Sequence, residues 1–201
     1  MKRALFITFE GGEGSGKTTQ SKRLQEYFHQ KNIPSIWTRE IGGTNIAESI
    51  RDLIVHNEMD ITTELLLAIA ARNEHLIHVI MPALEKREIV ICDRFVDSSL
   101  CYQGYKLGIE TVLKFHQQVL GSIMPDISFF IDVPVEEGLK RAVKRGGNNR
   151  FESMPIETHE KFRQCFHQLV EMFPERIIKI DGLKSEDEIS EIIIEKVKNV
   201  K

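Results

Sequence analysis

The chain has 201 residues, of which 41% are hydrophobic and 28% charged, and its formal net charge at pH 7 is −3. This length is enough for one well-buried domain, and the slightly acidic balance argues against nucleic acid or an anionic membrane as the main partner, because both attract a basic surface. Three cysteines without CxxC spacing argue against a disulfide framework and against a zinc site. The apolar run at the N-terminus is too short for a signal peptide or a membrane span, so we expect a cytoplasmic protein.

Short apolar runs predict five strands, which in chain order lie at 4–9, 34–38, 88–92, 127–132 and 176–180. Their nearly continuous apolar character is typical of strands buried on both faces. Helical patterns separate them, at 17–31, 44–56, 62–86, 109–122, 134–145, 156–173 and 185–199. This alternation predicts an α/β fold, a three-layer sandwich in which a five-stranded parallel sheet carries helices on both faces. No linker or repeat divides the chain, so we expect a single domain over residues 1–201.

The first predicted strand leads into GGEGSGKT, residues 11–18, which satisfies the pattern G-x-x-x-x-G-K-[ST]. Glycines allow successive backbone N–H groups to point at phosphate oxygens, Lys17 reaches the β- and γ-phosphates, and the Thr18 hydroxyl is a ligand for Mg²⁺. A glycine turn that only joins a strand to a helix is the alternative. The strand–loop–helix context favours a fold of the P-loop NTPase type and a site for a nucleoside triphosphate, formed by Gly11, Gly12, Glu13, Gly14, Ser15, Gly16, Lys17 and Thr18.

Motifs elsewhere in the chain distinguish between switches, motors and kinases. The sequence has no N-K-x-D motif for guanine, which argues against a GTPase switch, and no adjacent Asp-Glu pair ends a buried strand, as a motor would require. Instead Asp93 and Arg94 follow the strand at 88–92. A carboxylate at this position can bind Mg²⁺ and its waters, and the arginine is suited to a second phosphate group. The pair indicates transfer between two phosphorylated molecules, with a surface ion pair as the alternative.

Five segments, in order along the chain, resemble the thymidylate kinase family. They are FEGGEGSGKTTQ (9–20), TREIGGT (38–44), LLLAIAARNEH (65–75), DRFVDSSLCYQG (93–104) and RGGNNRFE (145–152). The resemblance implies an enzyme that phosphorylates dTMP to dTDP with the γ-phosphate of ATP, for dTTP synthesis, with ATP as co-substrate and with Mg²⁺. A kinase for another nucleoside monophosphate or for a deoxynucleoside is the alternative among enzymes, and a nucleotide-binding switch or assembly module is the alternative from another class.

The resemblance also implies which residues contact the phosphate of dTMP. Arg39 and Arg94 are expected to bind it, and Arg51 is expected to assist. Glu13 occupies an acidic position inside the phosphate loop, where the family contacts the 3′-hydroxyl of the monophosphate or the magnesium shell beside it. A carboxylate among phosphates is costly unless a donor or a metal meets it, which supports a substrate contact.

For the nucleoside, the resemblance implies that Arg72 donates to the pyrimidine carbonyl, that Ser99 reads the base edge, and that the Tyr102 ring packs under the deoxyribose. Two positions depart from the family pattern. Ile41 replaces the usual proline after TRE, and Ala68 replaces the phenylalanine that stacks on thymine. We therefore expect either that another apolar side chain, such as Ile69 or Leu67, covers the base, or that stacking on the base is weaker.

The segment at about 141–153 resembles the lid of the bacterial members of the family. Some members carry a catalytic arginine in the phosphate loop, but the corresponding residues here, Gly14 and Ser15, have no charge. Arg145 and Arg150 in the lid are therefore predicted to meet the charge of the transferring group, a typical role of arginine in phosphoryl transfer. A basic helix end that complements its own dipole is the alternative. With the lid pair, the predicted catalytic residues are Lys17, Arg94, Arg145 and Arg150, and the predicted metal ligands are Thr18 and Asp93.

An apolar side on the helical segment 62–86 exceeds what one small core needs, and dimers of the family use such helices. The resemblance thus implies a homodimer.

Overall fold

A computed structural model of the protein describes residues 4–146 and 149–200. Its described residues contain one five-stranded sheet in the order β2-β3-β1-β4-β5, and all neighbouring strands are parallel. The strands are β1 (Phe6–Glu10), β2 (Ser35–Arg39), β3 (Ile89–Asp93), β4 (Ile127–Asp132) and β5 (Ile177–Asp181). Each predicted strand is thereby confirmed to within two residues, as is the parallel α/β fold.

Helices connect the strands, as the sequence patterns predict. They are α1 (Lys17–Gln30), α2 (Asn45–His56), α3 (Ile61–His75), α4 (Met81–Glu85), α5 (Val96–Tyr102), α6 (Gly104–Leu107), α7 (Ile109–Leu120), α8 (Val135–Lys144), α9 (Ile156–Met172) and α10 (Glu186–Lys198). Polar side chains cap the N-termini of two of these helices. At α2 the Thr44 side chain accepts a hydrogen bond from the backbone N–H of Ala47, and at α10 Ser185 forms a capping box with Glu188.

Two hydrophobic cores lie on opposite faces of the sheet. Alternation along β1 sends Phe6 to one core and Ile7 and Phe9 to the other. The first core is closed by side chains of α3, α4, α5, α7 and α9, and the second by side chains of α1 and α10. The helices are therefore distributed over both faces, which gives the three layers that the sequence predicts.

The long helical pattern at 62–86 is one helical segment with a wide turn inside it. A π-helical turn, Leu76–Ile80, separates α3 from α4, and Pro82 follows it. Proline has no N–H and its ring crowds the carbonyl four residues earlier, so the preceding turn widens instead of keeping the regular ladder. The pattern predicted an uninterrupted helix here, because apolar spacing does not register a single local widening.

The short helix α5 was not predicted from the sequence. All of its residues are buried, and they include the polar Asp97, Ser98 and Ser99. Serine and aspartate compete with helical hydrogen bonds in isolated chains, so local propensity gives no helix signal here. Packing of α5 under α9 and α7 decides the structure instead.

Within 4–146 and 149–200, none of the helices combines the length and apolar character needed to cross a membrane.

Candidate active site

The phosphate loop lies between β1 and α1, at the carboxyl end of the sheet, where parallel α/β folds bind ligands. Gly11, Gly14 and Gly16 all have positive φ, which glycine adopts without strain. Lys17 folds back over the loop and donates from Nζ to the Gly12 carbonyl at 2.6 Å and to Ser15 Oγ at 3.1 Å. The geometry is a concave row of backbone groups with an ammonium at its centre.

The Lys17 ammonium is buried among charged groups. Burial and the Arg94 guanidinium lower its pKa to about 8, against the opposing effect of Glu13 and Asp93. A triphosphate bound in the loop would favour the charged form, because it adds negative charge within contact distance.

The metal-ligand pair predicted from the sequence is adjacent in the fold. The hydroxyl of Thr18 at the start of α1 donates to Asp93 Oδ2 at the end of β3. A hydroxyl and a carboxylate side by side are hard oxygen ligands of the kind Mg²⁺ prefers. The residues present therefore fit a magnesium ion bound next to the triphosphate.

Glu13 lies between the phosphate loop and α5, and two donors meet its carboxylate. Arg94 Nη2 donates to Oε1 at 2.7 Å and the Tyr102 hydroxyl at 2.9 Å. Burial opposes ionisation, but Arg94 and Lys17 outweigh it and lower the pKa of Glu13 to about 2. The acidic residue in the loop is thus a fixed anion that orients an arginine and a tyrosine.

Arg94 connects this carboxylate to the loop. Its φ is 70°, unusual for a non-glycine residue, and its Nη1 donates to the Gly11 carbonyl at 3.0 Å and to Ser98 Oγ at 3.2 Å. The positive φ turns the chain sharply at the end of β3, so that the guanidinium points back across the site. Burial opposes the charge of Arg94, but Tyr102 and the carboxylates of Glu13 and Asp93 outweigh it and raise the pKa of Arg94.

Beside Arg94 and Glu13 lies a cavity with about 620 Å³ of empty space, open solvent at its mouth included. Arg72 lies at its inner end and is 2% exposed. Arg72 Nε donates to Glu40 at 2.6 Å, and Nη2 donates to the Phe95 carbonyl at 3.1 Å and to Ser99 Oγ at 3.0 Å. Its Nη1 is buried without a hydrogen-bond partner, so one donor is free for a ligand.

Glu40 holds Arg72 in place. Its second oxygen contacts His75 Nδ1 at 3.0 Å, and His75 Nε2 contacts the Thr38 hydroxyl at 2.6 Å. Burial raises the pKa of Glu40, but Arg72 and His75 outweigh it, so the pKa is lowered overall. The result is a buried chain of four polar side chains that fixes the orientation of the guanidinium.

Arg39 and Arg51 lie on the other side of the mouth, and both line a second cavity that runs along the phosphate loop. Arg39 pairs with Glu48 at 2.7 Å, and Arg51 donates to the Ile41 carbonyl at 3.1 Å. Burial together with the charges of Arg39 and Arg94 lowers the pKa of Arg51. The positive charges of Arg39 and Arg94 thus disfavour the charge of Arg51, and an anion bound among the three guanidinium groups would relieve this repulsion.

Comparison with known proteins places this geometry in one family. The family model described as thymidylate kinase matches residues 9–193. Thymidylate kinase from Rickettsia rickettsii (strain Sheila Smith) is 48% identical over 197 residues, and the match covers 96% of this chain and 97% of the relative. Thymidylate kinase from Rickettsia bellii (strain RML369-C) is 47% identical, and the match covers 90% of this chain and 88% of the relative. The crystal structure of thymidylate kinase from Ehrlichia chaffeensis is similar with a TM-score of 0.77 and 34% identity, and the match covers 98% of this chain and 99% of that one.

The chain belongs to the thymidylate kinase family. The resemblance noted in its sequence is confirmed, and so is the P-loop architecture.

Two residues that depart from the usual family pattern have clear surroundings. Ala68 is buried at 1% exposure and does not line the cavity beside Arg72. Ile69 belongs to the hydrophobic core, and neither it nor Leu67 lines the cavity. Neither of these two side chains is therefore placed against the cavity, and which group covers the base stays a prediction. Ile41 does line it.

The two lid arginines lie in different places. Arg145 lines the cavity along the phosphate loop and pairs with Glu152 at 3.2 Å. Arg150 is absent from that lining and donates from Nε to the Ile54 carbonyl at 2.5 Å and from Nη2 to Glu64. The lid residues 147 and 148 lie outside the described residues. Arg145 thus lies near the phosphate loop, whereas Arg150 does not.

A further cavity beside the phosphate loop was missed by the sequence reasoning. Arg141 of α8 and the turn from Gly182 to Glu186 enclose it, and Arg141 Nη1 donates to the Gly182 carbonyl at 3.1 Å. The turn is about 40 residues from α8 in sequence and has no motif of its own. Only the pairing of β4 with β5 brings them together.

Proposed function

We propose that the chain transfers the γ-phosphoryl group of ATP to dTMP, forming dTDP for dTTP synthesis. The observation that carries this is the meeting of two cavities at Glu13 and Arg94, one along the phosphate loop and one running to Arg72. Two neighbouring sites that share an arginine are what transfer between two phosphorylated molecules requires. Positioning and charge stabilisation then supply most of the catalysis.

On the donor side, backbone N–H groups of residues 11–18 bind the phosphates of ATP. Lys17 follows the charge as it develops on the transferring group and its leaving oxygen. Thr18 and Asp93 would hold Mg²⁺, which supplies neutralisation of the β- and γ-phosphate oxygens when bound. The cavity between Arg141 and the turn at Gly182 holds the nucleoside of ATP, since it continues directly from Gly14 and Gly16.

On the acceptor side, Arg39, Arg51 and Arg94 bind the phosphate of dTMP and hold its oxygen in line with the γ-phosphorus. Glu13 accepts a hydrogen bond from the 3′-hydroxyl, and the edge of the Tyr102 ring packs against the deoxyribose. The Tyr102 ring is itself fixed, because it stacks on Phe162 with a centroid distance of 4.3 Å.

The base of dTMP lies at the inner end of the cavity. There the free Nη1 of Arg72 donates to a pyrimidine carbonyl, and Ser99 faces the base edge. Burial makes this contact selective, since a buried donor left unpaired costs about 1–3 kcal/mol.

The lid supplies cations after ATP binds. Arg145 is the residue that we assign to the transition state, because it already faces the phosphate loop. A transition-state role of Arg150, also predicted from the sequence, requires its guanidinium to leave Glu64 and move to the phosphates.

At the level of the whole chain, we propose one domain, a homodimer and a location in the cytoplasm. The two cores share one sheet, which supports a single domain. Cys92, Cys101 and Cys165 are buried free thiols, and free thiols are typical of a reducing compartment.

A coupled ADP-release assay with ATP and Mg²⁺ and a panel of dTMP, dUMP, dCMP and dGMP tests the function. We expect turnover with dTMP to exceed that with the other acceptors. Lys17→Ala should abolish it with an unchanged circular dichroism spectrum, whereas Lys114→Ala, a change on the exposed face of α7, should leave it intact. Preference for another monophosphate, or near-normal turnover of Lys17→Ala, would contradict the proposal.

A further inference from the structure

Three aromatic rings border the cavity that runs to Arg72: those of Phe95, Tyr102 and Phe151. A planar base gains binding free energy by stacking on such a ring, provided that one ring face is free. The surroundings of the three rings therefore decide which of them can take this role.

Two of the rings are already occupied. Phe95 is fully buried, and the Arg72 guanidinium lies over its ring at 5.0 Å. Tyr102 stacks on Phe162 on one side, and the Arg94 guanidinium lies over its ring at 4.9 Å. Neither ring has a face left for a base.

Phe151 differs from both. It is half-buried, and it lines the cavity from the side of the lid. The Arg150 guanidinium covers one face at 4.4 Å, and the ring meets Tyr102 edge-on at 5.5 Å with an interplanar angle of 74°. Phe151 also packs in part against the first hydrophobic core, and among the described residues no second guanidinium or ammonium group lies over its ring.

The neighbouring residue fixes the position of this ring. Arg150 is tied to α2 by its backbone N–H, which donates to the Val55 carbonyl at 3.1 Å, and by its Nε, which donates to the Ile54 carbonyl. Its Nη2 pairs with Glu64 of α3, a side chain that is 3% exposed and also accepts Gln103 Nε2 at 2.5 Å. These contacts hold residues 150 and 151 against α2 and α3, next to the cavity that runs to Arg72.

From this geometry we infer that Phe151 is the stacking residue for the base of the acceptor nucleotide and that Arg150 is its positioning residue. The inference rests on the proposed function, in that the cavity receives a nucleoside monophosphate. Phe151 then replaces the aromatic wall that Ala68 cannot provide. The base is recognised by a donor at its edge, Arg72, and by a ring on its face.

Calorimetric titration of Phe151→Ala tests the stacking contact, with two ligands that differ only in the base: dTMP and 2-deoxyribose 5-phosphate. We expect the Kd for dTMP to rise roughly tenfold or more, as for other base–aromatic contacts, while the Kd values for the baseless phosphate and for ATP stay within about twofold. Phe151→Tyr should retain the wild-type Kd, and so should Phe115→Ala, which removes an exposed ring on α7.

An unchanged Kd for dTMP would overturn the inference, and so would an equal loss for both acceptor ligands, which would indicate a general effect on the lid. If the alanine variant is unstable, Phe151→Leu keeps the apolar bulk. It should also raise the Kd for dTMP and leave the Kd for the baseless phosphate unchanged. Turnover of dTMP by the wild-type enzyme tests the proposed function separately, because it does not depend on which residue covers the base.

The role of Arg150 is tested by Arg150→Ala and Glu64→Gln. A positioning role predicts that both variants raise the Kd for dTMP, as Phe151→Ala does. The variant that carries both substitutions should bind dTMP no more weakly than the single variant with the higher Kd. If Arg150→Ala instead lowers kcat roughly 10²-fold without a change in Kd, and Glu64→Gln has no effect, Arg150 acts in the transition state and the inference for it is overturned.

Discussion

Arg94 lines both the cavity along the phosphate loop and the cavity that runs to Arg72. Its guanidinium contacts the loop at Gly11 and the carboxylate of Glu13, and its outer edge faces the mouth shared by both sites. A buried charged contact to phosphate is worth about 2–5 kcal/mol when it is removed. We therefore expect Arg94→Ala to lower kcat/KM for dTMP by roughly 30-fold or more while the Kd for ATP changes little.

Steady-state kinetics and ATP titration check this prediction. Arg23→Ala, which breaks a surface ion pair with Asp187, is the matched control. If the variant loses ATP binding but binds dTMP normally, Arg94 contacts the phosphates of ATP and the prediction is contradicted.

A second residue, Glu10, controls the turn on which Arg94 lies. Its carboxyl accepts the Phe95 backbone N–H at 2.8 Å and the Ser98 hydroxyl at 2.6 Å. Burial and repulsion from Asp97 raise its pKa to about 8, against Ser98, Arg94 and the Phe95 N–H, which lower it. A carboxyl whose pKa is higher folded than unfolded contributes stability at low pH and loses it as the pH rises toward 8.

The Glu10→Gln variant lacks this ionisation. Relative to wild type, we expect it to gain roughly 2 kcal/mol in the free energy of unfolding between pH 6 and pH 9. Urea unfolding at the two pH values measures the difference. A stability difference between variant and wild type that is independent of pH would show that Glu10 is ionised throughout.

At the scale of elements, the phosphate loop packs backbone to backbone on α8. A Cβ at Gly14 would approach the Gly138 carbonyl oxygen to 1.9 Å, and a Cβ at Gly138 would approach the Glu13 carbonyl oxygen to 2.4 Å. This contact connects the loop that binds phosphate to the helix that carries the lid. It needs glycine on both sides.

We expect Gly138→Ala to displace the loop, to lower stability by about 1–3 kcal/mol and to weaken ATP binding. Gly104→Ala is the control, since a Cβ there meets Ile109 at an ordinary 3.5 Å. Thermal unfolding with and without ATP checks both variants. Wild-type ATP affinity in Gly138→Ala would mean that the loop tolerates the shift.

The lid is the second element with a testable role. Arg145 follows α8 directly and faces the triphosphate cavity, while its neighbour Lys144 is exposed and lines none of the cavities described above. An arginine that acts only in the transition state lowers kcat and leaves binding unchanged. We expect Arg145→Ala to reduce kcat roughly 10²-fold with KM for both substrates within about fivefold, and Lys144→Ala to behave as wild type. Equal kcat values in the two variants would contradict the assignment.

For the molecule as a whole, the helical segment of α3 and α4 leaves apolar side chains uncovered. Leu66 is 51% exposed, Ile77 50% and Met81 39%. Burial of such a row against a second copy would stabilise a dimer by the hydrophobic effect. We expect a mass near twice 23.2 kDa by light scattering, and a monomer for Leu66→Glu with Ile77→Glu.

The control for this prediction is Leu183→Glu, an equally exposed leucine in the turn after β5. It should remain dimeric. A wild-type monomer at all concentrations would show that the exposed row has another role.

Much of the fold follows from sequence pattern because continuous apolar runs and 3.6-residue periods are local signals. The five strands and the phosphate loop belong to this class, as does the placement of Lys17, Thr18 and Asp93 at one edge of the sheet. The helix α5 does not, because its polar residues become helical only when a shared network buries them. In that network Asp97 receives two donors from Arg176, at 2.6 and 2.7 Å, from a part of the chain 79 residues away.

The sequence by itself determined the kind of chemistry, since a phosphate loop, an Asp-Arg pair and a basic segment are contiguous motifs whose residues act near one another in the chain. The tertiary structure alone decided where the cations of the lid lie: Arg145 lines the cavity along the phosphate loop, whereas Arg150 is held by Glu64 and its neighbour Phe151 lines the cavity that runs to Arg72. It also decided that Leu67, Ala68 and Ile69 of α3 do not line this second cavity. The physical reason is that side-chain direction and free ring faces depend on packing between distant elements, which no local pattern encodes.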